Sequence, residues 1–245
     1  MNINTDCHLL PMEGAYNIRD LGGYPAENGG VTRKGLFFRA DNTANLTPKD
    51  VDLLREKGVS LSIDLRSPKE TQDWPSKLKG CAGMRYENIV MLDEISSNGF
   101  RGNFPASMAE MYIRNLDGAR DSFVQVFRLL IENSGAALFH CTAGKDRTGM
   151  VSMLLLELAG APDEVIVADY AATERYMQPV FAKLVEQMKG IGVDVPDHAL
   201  RSEPDSMWRL LAHLRAKYGS ARHYLEAGGI APAELSALIA RFVEY

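Results

Sequence analysis

Ala136-Ala137-Leu138-Phe139-His140-Cys141-Thr142-Ala143-Gly144-Lys145-Asp146-Arg147-Thr148-Gly149 passes from an apolar run, through a loop of small residues, into the start of a long apolar helix pattern. Ala136 to Phe139 reads as a buried strand, and from Thr148 the apolar spacing is helical. A strand that turns through such a loop into a helix makes an anion cradle. The loop amides point inward and the helix N-terminus adds partial positive charge. Arg147 at the far end can fork two N–H groups onto phosphate oxygens. Cys141 at the near end sits in the same positive field, which favours its thiolate. Thr142, Ala143, Gly144, Lys145 and Asp146 form the wall between them. Thr148 adds a hydroxyl, and His140 is placed to orient the loop.

Other readings of the stretch fail on residues. A lone cysteine at a strand end is usually a small hydrophobe, but not one with Gly144, Arg147, Thr148 and Gly149 in register. Gly144-Lys145 suggests a nucleotide-binding loop. That pattern needs Gly where Phe139 stands and Ser or Thr where Asp146 stands. Cys7, Cys81 and Cys141 lack the spacing of a zinc site and are too few for a disulfide framework. No metal or cofactor is expected.

Composition narrows the partners. The chain has 245 residues and a net charge of −5, so it has no bulk attraction for nucleic acid. A phosphate pocket must be a local basic spot in an acidic protein. No signal segment is visible, and the apolar runs are far short of a membrane span. The expected location is the cytoplasm, with export by a route that needs no cleaved signal as an alternative.

Strand patterns occur at Leu36 to Arg39, Val59 to Leu65 and Tyr86 to Leu92. Thr47 as N-cap, Pro48 at the first helical position and Gly58 past the end predict a helix over about residues 48–57. Residues 107–133 read as one or two helices, and nearly everything after Thr148 is helical. Gly29-Gly30 and the stretch from Asn98 to Pro105 read as loops. Strands alternating with helices predict an α/β fold: a mostly parallel central sheet flanked by helices, with a C-terminal helical elaboration. Its apolar residues, including Met177, Val180, Phe181, Leu184, Met188, Met207, Trp208, Leu210, Leu211 and Leu214, read first as core faces of amphipathic helices.

The Cys-x5-Arg loop resembles the signature of cysteine-dependent protein tyrosine phosphatases. Gly144-Lys145-Asp146-Arg147-Thr148-Gly149 is narrower. It resembles the atypical bacterial and fungal tyrosine phosphatases, some of which also accept phosphoserine, phosphothreonine or phosphoinositides. Further segments match in order: Asn17-Ile18-Arg19-Asp20-Leu21-Gly22-Gly23-Tyr24, Gly35-Leu36-Phe37-Phe38-Arg39, Ile63-Asp64-Leu65-Arg66-Ser67, and Tyr218-Gly219-Ser220 with Tyr224-Leu225 and Gly228. The resemblance implies one phosphatase domain over residues 1–245. Some relatives carry a helical lid, and about residues 163–218 would be that insertion, with a break at Gly190 to Pro196.

The implied reaction is a two-step hydrolysis of phosphotyrosine, extending to phosphoserine and phosphothreonine, with Cys141 as nucleophile and Arg147 and the loop amides holding the phosphoryl oxygens. Phosphate or vanadate would occupy the same site. A phosphoinositide phosphatase is the alternative, and Lys145 favours it as a second cation for multiply phosphorylated head groups. A non-catalytic phosphate-binding module is a weaker alternative, as is a sulfur-transfer enzyme. Thr148 would help the thiolate leave in the second step. Superfamily members place the general acid in Trp-Pro-Asp, but Trp74-Pro75 is followed by Ser76, and Asp73 before it is a coincidence. Asp146 is the leading candidate, then Asp64, then Asp93; Asp146 is otherwise a brace for the loop, and Asp64 a partner for Arg66 or Arg19. Asn17, Arg19 and Asp20 are expected to shape the site from below, or else to be a plain turn.

Overall fold

The computed structural model describes residues 8–91 and 104–245. Cys7, Leu92, Asp93 and residues 98–103 of the expected loop lie outside them. In chain order the elements are β1 (Arg19–Asp20), β2 (Val31–Thr32), β3 (Phe37–Ala40), α1 (Pro48–Glu56), β4 (Val59–Asp64), α2 (Pro68–Asp73), β5 (Arg85–Asn88), α3 (Met108–Gly118), α4 (Arg120–Glu132), β6 (Ala136–His140), α5 (Asp146–Leu158), α6 (Asp163–Gly190), α7 (Asp197–Leu200), α8 (Pro204–Tyr218), α9 (Ala221–Glu226), α10 (Pro232–Phe242) and β7 (Val243–Glu244).

The main sheet runs β1-β3-β6-β4-β5. β3, β6, β4 and β5 are mutually parallel, and only β1 is antiparallel, against β3. Every residue of β6 is buried. That is why it reads as an unbroken apolar run rather than an alternation. Ala137 and Phe139 face the larger apolar layer, beneath α3, α4 and α5. Ala136 and Leu138 face the smaller one, with Val51 and Leu54 of α1. Cys141 therefore emerges at the carboxyl end of a central strand, where open parallel sheets place their ligands.

Local signals account for most boundaries. Thr47 and Asp50 form a reciprocal capping box at α1, with Pro48 at its first position. Residues 107–133 are two helices, divided at Ala119. α5 starts at Asp146, two residues before the expected Thr148, because the Lys145 carbonyl already accepts the Gly149 N–H at 2.9 Å. β5 ends at Asn88, yet the chain still follows β4: Ile89 and Met91 donate to the carbonyls of Asp64 and Leu65. The short β2–β7 ladder, which brings the last residues back to Val31 and Thr32, has no signal in its two-residue strands.

The helical region divides into two parts. Met207, Leu210, Leu211 and Leu214 of α8 are buried, and α8 packs on α3 and α6. α6 buries residues only as far as Met177. Beyond Pro179, Val180, Phe181, Leu184 and Met188 are half-buried, while Trp208 of α8 is exposed. No described helix is long and apolar enough to cross a membrane.

Candidate active site

Cys141 follows the last residue of β6, and Arg147 lies in the first turn of α5. Both are almost completely buried, as are Lys145 and Thr148. The carbonyls of the intervening loop are each held from outside it. The Cys141 carbonyl faces His140 Nδ1 at 3.2 Å. The Thr142 carbonyl accepts the Asn42 N–H at 3.0 Å. The Ala143 carbonyl accepts Asn17 Nδ2 at 3.0 Å, and the Gly144 carbonyl accepts Arg39 Nη2 at 2.6 Å. In a trans peptide the N–H of the next residue points opposite to the carbonyl. No peptide bond in the described chain is cis. The amides of Thr142, Ala143, Gly144 and Lys145 are thus turned away from this scaffold. Successive amide donors that converge form a nest for an anion.

Gly144 makes the turn. Its φ is +66°, and an added Cβ would lie 2.6 Å from the Ala40 carbonyl oxygen. Only glycine adopts that conformation cheaply, and only glycine fits there.

Arg147 is held from the front by Glu70, a residue the motifs did not single out. Nη1 donates to Glu70 Oε2 and Nη2 to Oε1, each at 2.8 Å. Glu70 also accepts the Thr142 hydroxyl at 2.5 Å and the Ser67 N–H at 2.9 Å. Burial opposes its charge, but the Arg147 guanidinium and these hydrogen bonds overcome that and bring its pKa down to about 2. Local sequence explains Glu70 in a different way: Ser67-Pro68-Lys69-Glu70 is a capping box, and both of its hydrogen bonds are present. One carboxylate caps α2 and orients the cradle's arginine.

Lys145 Nζ donates to the Ala199 carbonyl of α7 at 2.6 Å and lies 3.5 Å from Asp146 Oδ1. Asp146 accepts the Tyr112 hydroxyl at 2.5 Å, and Tyr112 contacts the Tyr170 hydroxyl at 2.7 Å. Burial, then the Asp146 charge, pushes the Tyr112 phenol well above its ordinary pKa, so it remains a donor. The Thr148 hydroxyl is buried, with no hydrogen-bond partner among the described residues. A buried orphan hydroxyl is costly unless something else occupies it.

Asp64 ends β4 next to this loop, as a brace. Arg66 grips it through Nε at 2.9 Å and Nη2 at 2.7 Å, and the Tyr86 hydroxyl donates at 2.7 Å. Against the cost of burial, His140 and Arg66 hold its carboxyl below the usual range. His140 lies 3.5 Å away, between Asp64 and the Cys141 carbonyl, and burial holds its pKa below the ordinary value. Asp73 pairs with Lys69 on the exposed face of α2. Cys81 donates to the Lys77 carbonyl. Asp20 accepts the N–H groups of Gly22 and Gly35, holding a turn beside β1 rather than the loop.

A family model described as tyrosine phosphatase family matches residues 10–244. A tyrosine-protein phosphatase of Nostoc commune is 34% identical over 249 aligned residues, covering 98% of this chain and 84% of that protein. The triple specificity protein phosphatase PtpB of Mycobacterium tuberculosis is 27% identical over 73% of this chain and 74% of its own. This chain belongs to the tyrosine phosphatase family. It is a phosphatase with a mostly parallel sheet, and its own Cys-x5-Arg loop is the one whose carbonyls the scaffold takes up.

Within this phosphatase, Asn17 and Arg19 lie beneath the loop, as expected from the N-terminal segment. Arg39, Glu70, Tyr112 and Asp169 also belong to its surroundings. Arg39 lay in a matching segment. The other three carried no local signal beyond the capping box at Glu70.

Proposed function

We propose that the chain hydrolyses phosphotyrosine through a phosphocysteine intermediate, with Cys141 as nucleophile. The outward capture of the loop carbonyls carries this reading. It leaves a row of amides, the start of α5 and the Arg147 guanidinium around the cysteine, a charge pattern suited to three equatorial phosphoryl oxygens. In the first step the Cys141 Sγ–P bond forms as the P–O bond to tyrosine breaks, and a general acid protonates the departing oxygen. In the second, water adds to phosphorus, the S–P bond breaks, and inorganic phosphate leaves as the thiolate returns. Thr148 is assigned the donor to that sulfur as the thiolate leaves; its buried hydroxyl makes no hydrogen bond among the described residues that would compete.

Asp146 is the better general acid of the two described candidates. It stands at the start of α5, beside the cradle, with Tyr112 aiming its carboxylate. Asp64 is fully engaged by Arg66 and Tyr86. The triple specificity named for the mycobacterial relative supports extension beyond phosphotyrosine, for which phosphoserine and phosphothreonine are the substrates we propose. A phosphoinositide reading depends on Lys145, whose Nζ is held by Ala199. Its use on a second phosphate requires α7 to move away, the motion of a helical lid formed by about residues 163–218.

Turnover of phosphotyrosine, phosphoserine and phosphoinositide substrates tests the class, with Cys141→Ser as the control. Preference for phosphotyrosine is expected, with turnover in the variant lost by on the order of 10⁴-fold or more. Substantial activity in Cys141→Ser sinks the phosphocysteine route. Asp146→Asn should slow alkyl phosphates by about 10²–10⁴-fold while sparing nitrophenyl phosphate, whose leaving group needs no proton. Selective loss in Asp64→Asn instead would reassign the acid.

A further inference from the structure

Arg19 and Arg39 face each other across the β1–β3 ladder, and both are completely buried. Like charges directly opposite on neighbouring strands repel, and here both are shut off from bulk solvent. One carboxylate lies between them. Asp169 of α6 accepts Arg39 Nη1, Arg19 Nε at 3.4 Å and Nη2 at 3.3 Å, and the Tyr24 hydroxyl at 3.2 Å. Its backbone carbonyl accepts Arg19 Nη2 at 2.7 Å. Burial opposes the Asp169 charge, and the two guanidinium groups more than offset it.

The far ends of both arginines reach the cradle. Arg39 Nη2 holds the Gly144 carbonyl. Arg19 Nη1 holds Asn17 Oδ1, and Asn17 Nδ2 holds the Ala143 carbonyl. One turn further along α6, the Thr173 hydroxyl lies 3.4–3.5 Å from Arg39, Arg19 and Asn17. The peptide planes 143–144 and 144–145 are thus oriented by side chains that converge on one face of α6. This is the helix that continues into the half-buried arm beyond Pro179.

We infer that Asp169 is a positioning residue of the phosphatase reaction, acting through Arg39 and the Arg19–Asn17 pair to keep the amides of Gly144 and Lys145 turned toward the phosphoryl group. Without its carboxylate the opposed guanidinium groups separate, the two carbonyls lose their donors, and both peptide planes are free to rotate. The cradle then loses directed donors while Cys141, Arg147 and Asp146 are untouched. The loss falls on anion binding and on the transition state together.

The inference rests on the cradle reading, so competitive inhibition by vanadate is measured first in the unaltered enzyme. Its absence there would sink that reading itself. Asp169→Asn and Arg39→Lys are then assayed well below their unfolding midpoints. Arg39→Lys keeps the buried charge and one contact to Asp169 but gives up the fork onto Gly144. It decides alone if Asp169→Asn is recovered only unfolded. In each folded variant, the vanadate inhibition constant should rise and kcat should fall by roughly tenfold or more, equally for good and poor leaving groups. A merely structural role would lower the unfolding midpoint and leave both constants in place. A vanadate constant and kcat within about twofold of the unaltered enzyme, in folded Arg39→Lys or Asp169→Asn, overturns the inference.

Discussion

Glu70 and Asp169 hold guanidinium groups against the same loop from different elements, and they do it differently. Glu70 matches one carboxylate to one arginine, side chain to side chain, and also takes the Thr142 hydroxyl. Asp169 serves two arginines, and their other ends finish on backbone oxygen or on a residue that does. A phosphate dianion entering the cradle brings to Arg147 negative charge of the kind that Glu70 supplies. Nothing that enters replaces the Gly144 or Ala143 carbonyl. The Glu70 centre is therefore suited to sharing its arginine with a ligand, and the Asp169 centre to staying fixed. Ligand should restore what the loss of the Glu70 charge removes, and should not restore what a loss on the Asp169 side removes.

Of the substitutions that compare the two centres, Arg147→Ala should have the largest effect. It removes the fork onto the anion and leaves Glu70 buried without its cation. Activity should fall by about 10³-fold or more, as for arginines that stabilise a transferring phosphoryl group. Stability should fall by about 3–5 kcal/mol, as when one member of a buried pair is lost. Denaturant unfolding with and without vanadate checks the comparison, because the variant should gain almost nothing from the ligand.

Gly144→Ala should come next. The added Cβ meets the Ala40 carbonyl, and φ at +66° adds strain of about 1–3 kcal/mol. The loop must shift, and a displacement of this kind costs roughly 10² in rate. Vanadate should not restore stability, since the clash lies with the scaffold. Stability recovered with ligand to the level of the unaltered enzyme would show that this side of the loop is as adaptable as the Glu70 side.

How much of this was legible in the sequence follows from which partners are local. Arg19, Arg39, Arg66 and Arg147 each sit in a segment recognisable from its own residues, and the structure buries all four. Asp64, which grips Arg66, is in the same segment. Asp169 is 150 positions from Arg19 and sits in an ordinary amphipathic helix, so no spacing rule connects them. Glu70 is hidden for the opposite reason: its capping box explains it completely at short range. Lys145 reads from the sequence as a second cation for substrate because lysine is rarely buried, and its Ala199 partner comes from a distant helix. The strand–loop–helix order was plain because apolar runs and caps are local. What surrounds the loop was not, because tertiary ion pairs leave no local pattern.

Glu70→Gln should be milder. The amide preserves the shape and one acceptor but not the charge, so kcat should fall about tenfold, the scale of one charge-assisted hydrogen bond. Vanadate should stabilise this variant more than it stabilises the unaltered enzyme, since the ligand restores the missing charge. The acid limb sharpens the test. Glu70 is depressed from 4.5 to about 2, so its contribution is complete above pH 4.5 and is lost as pH falls toward 2. Asp41, raised by burial to about 6 from 3.8, has the opposite sign and removes stability as pH rises across that interval. Glu70→Gln should therefore flatten the stability profile below pH 4.5 and leave the slope between 4.5 and 6 unchanged.

Tyr112→Phe should have the smallest effect, and it asks whether Asp146 sides with the ligand-responsive centre or the fixed one. The phenol donates to Asp146 and meets Tyr170, so its loss removes one hydrogen bond and leaves the Tyr170 hydroxyl short of a partner. The expected cost is about 1–1.5 kcal/mol of stability. If Tyr112 aims a general acid, kcat should fall about fivefold for alkyl phosphates, the kinetic equivalent of one weak hydrogen bond, and hardly at all for nitrophenyl phosphate. The vanadate constant should stay where it was, because the amides and Arg147 are undisturbed. Equal loss on both substrates together with weaker vanadate inhibition would place Tyr112 with Arg39 and Asp169, as part of what holds the loop. Asp146 would then be a brace, and the proton for the leaving group would have to come from another carboxylate.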